Sequence, residues 1–233
     1  MLLDPDNKYI QAINSHAPLA GAIILEIGCG SGRMTRDLAA IAQKIVATDL
    51  NADALEKARE QNPIENIEFL YTPDSIPDLP RDFFDIAIYT LSLHHIPEDQ
   101  MIDHLHHSGS LLKDGGKMVV VEPGSGGSFL EVKKRFGAGS GDESVEKQAA
   151  IKAMQNLAGW ILSPIYHFDV HFQFTDDIDF LTHKLPNYQE MPAEDIFELR
   201  SFLKKHTTDR GIILTSERHL NLLTRKSLVK KGD

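Results

Sequence analysis

Between residues 22 and 122 the chain alternates two patterns. Short, nearly continuous apolar runs occupy 22–27, 44–49, 66–71, 84–90 and 116–122, and between them, near 32–43, 52–61 and 98–112, lie stretches of helical character. Met34, Leu38 and Ile41 form the stripe of the first such stretch, the spacing of a helix with one face turned to a core. The Val-rich run at 116–122 predicts a strand covered on both faces. Regular strand–helix alternation predicts an α/β fold with a doubly wound, mostly parallel sheet and helices on both faces. Gly115-Gly116, after Leu111-Leu112-Lys113, predicts the stop of the third helix.

Past residue 122 the rhythm breaks. Pro123 is followed by Gly124, Gly126, Gly127, Gly137, Gly139 and Gly141, which predicts a mobile helical lid inserted at 124–175. Within it, Phe129, Val132 and Phe136 predict a helix at 128–136, and Val145, Ala149, Ala153, Leu157 and Ile161 a longer one at 143–161. Strict alternation from Tyr166 to Phe174 predicts a strand. Ile196, Leu199 and Leu203 predict a helix at 192–206, and 211–215 with 219–224 predict two closing antiparallel strands. The whole chain, 1–233, is expected to be one domain with this insertion.

The chemistry concentrates where the first strand meets the first helix, at Ile24-Leu25-Glu26-Ile27-Gly28-Cys29-Gly30-Ser31-Gly32-Arg33. Glycines at alternate positions allow a tight turn and close approach of a ligand, and the following helix offers its free N–H groups. A dinucleotide fingerprint would place its third glycine where Arg33 stands. Glu26 would repel a phosphate there but would favour an ammonium or sulfonium. Asp49 ends the second strand about twenty residues beyond the glycines, the spacing at which an acid reaches ribose hydroxyls. Asn51 predicts the cap of the helix that follows.

The patterns E-x-G-x-G-x-G and D-x-N-x-x-x-L-x-x-A resemble the first two motifs of the class I S-adenosylmethionine (SAM) methyltransferases. The run from Phe84-Asp85 to Leu93-His94-His95-Ile96-Pro97 is similar to the fourth motif of the ubiquinone-biosynthesis type. The resemblance covers residues 20–123. It implies a Rossmann-like sheet, mostly parallel with an antiparallel edge strand, SAM as cofactor with S-adenosylhomocysteine as product, and a small-molecule acceptor. It implies Gly28, Gly30 and Gly32 around the methionine part, with Glu26 near its amino group. It also implies Asp49 at the ribose, Leu50 among the cofactor-binding residues, Asp74 and Ser75 at the adenine, and Thr90 and Leu91 along the methionine end.

For an acceptor that arrives protonated, the candidate general bases are His94, at the carboxyl end of a central strand, and His167 or His171; Glu122 ranks below them. His94 and His95 could instead cap the helix that starts near Pro97. His167, Asp169, His171 and Gln173 share one strand face, opposite Phe168, Val170, Phe172 and Phe174. Metal ligation, substrate contact and a solvated face all stay open for that set, and no metal is expected. His104, His106 and His107 are expected to face solvent.

Composition narrows the partners. A formal charge of −10 over 233 residues disfavours nucleic acid and anionic membranes. No apolar run reaches membrane-spanning length, and the first residues lack the basic region of a signal peptide. The single Cys29 fits a reducing cytoplasm and reads as a small buried residue rather than a nucleophile. Two other readings stay open: a non-catalytic SAM-binding module, and a nicotinamide-dependent oxidoreductase on a similar fold, against which Glu26 and Arg33 argue.

Overall fold

A computed structural model describes residues 1–73, 79–138 and 143–226. In chain order the strands are β1 (Leu2–Leu3), β2 (Ile23–Ile27), β3 (Lys44–Asp49), β4 (Ile67–Tyr71), β5 (Phe84–Thr90), β6 (Leu112–Pro123), β7 (Trp160–Leu162), β8 (Tyr166–Phe174), β9 (Thr207–Thr208) and β10 (Gly211–Arg225). The α-helices are α1 (Lys8–His16), α2 (Arg33–Ala39), α3 (Ala52–Gln61), α4 (Glu98–Ser110), α5 (Ser128–Phe136), α6 (Ser144–Gln155), α7 (Asp177–Lys184) and α8 (Ala193–Lys204). The described residues fall into two compact units: Ala12–Glu122 with Ser144–Tyr166 and the chain from Leu220 onward, and Met1–Gln11 with Pro123–Glu143 and His167–His219.

The larger unit carries the expected doubly wound sheet, with parallel strands in the order β4-β3-β2-β5-β6. Ile27, at the end of β2, lies level with Thr48 on one side and Tyr89 on the other. The chain winds outward from β2 to β4, then returns across β2 to start β5. The crevice at the carboxyl ends of β2 and β5 is therefore a topological switch point, where sheets of this kind hold ligands. The opposite end is stapled by Asp85, which accepts from the Ile23 N–H at 2.8 Å and from the Lys113 ammonium at 2.7 Å.

Leu25, Val46, Ala87, Tyr89 and Val120 of the sheet, with Leu93, Met101 and Leu105 from the segment after β5, form a buried cluster. Ala149, Ala150, Ala153 and Met154 of α6 belong to the same cluster. The stretch 124–175, expected to act as one lid, is thus shared between the two units, and α6 is core to the larger one.

Helix α6 stops at Gln155, short of the expected 161. The Asn156 amide folds back onto the Lys152 carbonyl at 2.9 Å, and Gly159 adopts φ +81°. The chain then extends as β7, antiparallel to β10 with Trp160 opposite Arg225. Leu157 continues the four-residue repeat because it is buried without being helical, whereas Ile161, the next member, lies in β7 and is exposed.

The two closing strands expected at 211–215 and 219–224 are one strand, β10. No Gly, Pro, Asn or Asp separates them, and Ile212, Leu214, Ser216, Arg218 and Leu220 alternate inward without a break until Leu220 and Asn221 are both buried.

In the smaller unit β1 runs antiparallel to β8, with Leu2 opposite Gln173, and β9 pairs with β10. Helix α5 packs on α8, and Phe129 stacks on Phe172 at 4.2 Å. The buried Asp4 carboxylate accepts from the Lys8 and Tyr9 N–H groups at the start of α1. Among the described residues no helix is long and apolar enough to cross a membrane.

Candidate functional site

A cavity of about 530 Å³ opens at the switch point, within the larger unit. Its floor is the turn after β2. The Gly28 and Cys29 N–H groups both donate to the Thr48 carbonyl, at 2.8 and 3.0 Å, which ties the turn to β3. Each glycine has its own reason. A Cβ on Gly28 would stand 2.5 Å from Ser92 Cβ, so Gly28 lets the turn after β5 approach. Gly30 has φ +55°, and a Cβ there would meet nothing within 4 Å. Gly30 lines the cavity, so its missing side chain leaves that space open. Gly32 caps α2 at φ +79° and faces Asn62, Ala58 and Phe69; it serves helix–strand packing and is not part of the cavity wall.

Asp49 holds the rim. Its carboxylate accepts from the Gly30 N–H at 2.6 Å and the Asn51 N–H at 2.8 Å, while Asn51 caps α3 by accepting from the Ala54 N–H at 3.0 Å. Two carboxylate oxygens carry about four acceptor sites, so Asp49 retains capacity for a ligand's hydroxyls. Leu50 lies beside it in the wall. Opposite, Leu91 takes a left-handed φ of +57°, a conformation that costs a branched side chain energy and is kept where the surroundings impose it. The Ser92 hydroxyl donates to the Ile27 carbonyl at 2.6 Å and locks that turn against the end of β2.

Glu26 lies under the turn, 1% exposed, with Oε2 unpaired among the described residues. Burial pushes its carboxyl up to about 7. Thr90 also has a buried hydroxyl oxygen without a hydrogen-bond partner among the described residues, and neither residue is in the cavity wall. Cys29 is buried, and burial pushes its thiol up, which disfavours the thiolate.

The expected base His94 is 3% exposed and set back from the cavity wall. Its Nδ1 makes a very short contact with Glu122, whose other oxygen accepts from the His94 N–H at 3.3 Å. The histidine that lines the cavity is its neighbour His95, whose ring lies against His94 with centroids 4.1 Å apart. His104, expected in solvent, also lines the cavity. Pro97, Gln100 and His104 follow helical spacing along one face of α4, and that spacing is the signal that would have found them. Burial holds the His104 imidazole below its ordinary range. Asp74 and Ser75 lie outside the described residues. His167 and His171 belong to the smaller unit, where His167 Nδ1 lies 2.8 Å from Glu217 Oε1 and His171 Nδ1 lies 2.8 Å from Asp6 Oδ2.

Residues 24–116 match the family model of a methyltransferase domain. Ubiquinone biosynthesis O-methyltransferase of Nitrosococcus oceani is 33% identical over 112 residues, 47% of this chain and 47% of that protein. Its counterpart in Xanthomonas euvesicatoria is 29% identical over 112 residues, 47% of this chain and 46% of that protein. The chain thus spans about half the length of the curated relatives it matches. A solved structure from Bacillus halodurans, described as that of a candidate methyltransferase, superposes with a TM-score of 0.58 at 19% identity, over 94% of this chain and 99% of the other, and shares the fold. The matched stretch carries the glycine turn, the acid-ended β3 and the residues that line the switch-point cavity, and over it the chain is similar to methyltransferase domains.

Proposed function

We propose that the protein transfers a methyl group from SAM to a small-molecule acceptor. One observation carries this reading: Gly30 leaves its side-chain space open to the cavity beside the Asp49 carboxylate. A volume of about 530 Å³ is in the range of cofactor pockets. The wall fits the cofactor chemically, with Asp49 for the ribose and Ile27, Leu50, Leu91 and Ile96 for apolar contact. Glu26, beneath the turn, supplies a carboxylate that a nearby cation would keep ionised.

When bound, SAM supplies a methyl group already activated on a sulfonium. The protein's task is then alignment and exclusion of water, which can supply much of the acceleration. Ser92 and Asp49 fix the two sides of the glycine turn, and Ile27, Leu50, Leu91 and Ile96 give a bound ligand apolar contact that displaces water. For a protonated acceptor, His95 is the imidazole placed to take the proton, and the buried His94–Glu122 pair sits behind it as support. The relatives are named O-methyltransferases, so an oxygen acceptor is the first to test. The single buried thiol and the acidic charge fit action in the cytoplasm on a small metabolite.

The decisive experiment is calorimetric titration with SAM and S-adenosylhomocysteine, with mass analysis of any ligand that copurifies. Gly30→Asn suits the left-handed backbone and fills the ligand space, so it should abolish binding while the protein stays folded. Asp49→Ala should weaken binding by about 1.5–3 kcal/mol through lost charge-assisted hydrogen bonds. Unchanged affinity in both variants would sink the proposal.

A further inference from the structure

In the smaller unit, three side chains converge that methyl transfer does not use. Glu217 and His219 stand two residues apart on one face of β10, and His167 comes from β8. His167 Nδ1 is 2.8 Å from Glu217 Oε1, and His219 Nε2 is 3.5 Å from Glu217 Oε2. The two imidazole rings meet edge to face at 4.5 Å. One donor atom from each of the three residues lies within 4.8 Å of the others. We propose that His167, Glu217 and His219 form a binding site for a divalent transition metal such as Zn²⁺.

The donor set suits that chemistry. Two neutral imidazoles and one carboxylate bind Zn²⁺ at about 2.0–2.2 Å and leave a fourth position open. Donors around such an ion stand about 3–3.5 Å apart, so side-chain adjustment on the order of an ångström closes the site. The contacts that now link Glu217 to each imidazole are contacts a cation would replace. Glu217 is held below the usual carboxylate range, first by its hydrogen bond with His167. His219 is held below its ordinary range by burial, which favours the neutral ring.

The carboxylate is built in rather than loose. Ser125 donates its N–H to Glu217 Oε2 at 2.9 Å, the kind of outer contact that orients a metal ligand. The Gly124 N–H donates to the Glu217 carbonyl, and the Glu217 N–H to the Gly126 carbonyl. A Cβ on Gly124 would stand 2.6 Å from the Glu217 side chain, and one on Gly126 would stand 3.1 Å from Oε2. The glycines read in the sequence as hinges wrap this carboxylate. The His167 side chain is 56% exposed and that of Glu217 is 22% exposed, so an ion reaches the cluster from solvent.

The test uses the purified, metal-stripped full chain and needs neither SAM nor an acceptor, so its outcome is separate from that of the methyltransferase reading. Co²⁺ is titrated while its visible absorption is followed, then displaced with Zn²⁺. The expected result is one saturable site per chain. Glu217→Gln and His167→Ala should each weaken it by more than the roughly 10–100-fold that loss of an outer-sphere contact costs. His171→Ala, on the same strand face but outside the cluster, should bind as wild type. His167 is exposed, so its removal leaves the fold intact, as circular dichroism would verify. Absence of a saturable site in the wild type, or equal affinity in the Glu217→Gln and His167→Ala variants, overturns the proposal.

Discussion

Glu26 shows how one residue couples the site to stability. A carboxyl with an ordinary pKa of 4.5 is held at about 7 by burial in the folded state. The unfolded chain releases this proton near pH 4.5, whereas the folded chain keeps it until about 7. The folded state therefore binds more protons across that interval, and stability falls as pH rises through it. At about 1.4 kcal/mol per pH unit the loss approaches about 3 kcal/mol by pH 7 to 8. Glu26→Gln should remove this dependence and raise stability at pH 8, measured by urea unfolding from pH 5 to 8. A parallel pH profile in wild type and variant would show that Glu26 is not the cause.

His95 and His94 divide at the same scale. Of these two, His95 is the one that lines the cavity, so His95→Ala should lower single-turnover methylation of a protonated acceptor by about 10²–10⁴-fold while cofactor affinity stays nearly constant. A change of only a few-fold would mean that alignment alone drives the reaction. The sequence pointed to His94 because strand geometry places a residue at a strand end, but a short 3₁₀ turn at Leu93–His95 turns its ring inward to Glu122.

Among the elements, the meeting of α4, β7 and β10 offers the sharpest test. Trp160 lies against Gly109 of α4, where an added Cβ would stand 2.5 Å from the indole. Arg225 covers the ring at 5.7 Å and donates to the Gly109 and Leu112 carbonyls at 2.5 and 2.9 Å. Alanine for glycine inside a helix gains about 1 kcal/mol in propensity, but overpacking a held aromatic costs about 1–3 kcal/mol. Gly109→Ala should therefore be net destabilising in urea, and should shift the emission of Trp160, the only tryptophan in the chain. Increased stability with unchanged emission would contradict the packing. This corner also explains the misplaced end of α6, since helical periodicity does not reveal that the indole must reach α4.

For the whole molecule, ligand linkage is the measurable property. S-adenosylhomocysteine at a hundred times its Kd should stabilise the protein by about 2.7 kcal/mol, read as a rise in Tm. Hydrogen-exchange protection should then appear at residues 28–32, 49–51 and 91–97. Protection confined to 123–138 and 167–219 would place the cofactor elsewhere. The lid expected from the glycines predicts fast exchange at 124–127 without ligand. The structure predicts slow exchange at Glu217, whose N–H bonds the Gly126 carbonyl, and at Ser125 and Ser128, whose N–H groups bond Glu217 and Thr215.

The sequence by itself determined the five parallel strands, the helices between them, the turn that holds Gly28 and Gly30, and Asp49 at the end of β3. These follow from local rules: apolar period, glycine conformation, and an acid at a strand end. They hold because neighbours in sequence are neighbours in the βαβ winding. Tertiary structure decided what local pattern leaves open. It set which glycine faces ligand and which faces a helix, since Gly30 and Gly32 differ only in what lies opposite. It buried His94 and brought His95 and His104 to the cavity, joined two expected strands into β10, and gathered His167, Glu217 and His219 from positions fifty residues apart in the chain. Burial and long-range approach depend on partners distant in sequence, and a single chain read in order carries no record of which distant residues will meet.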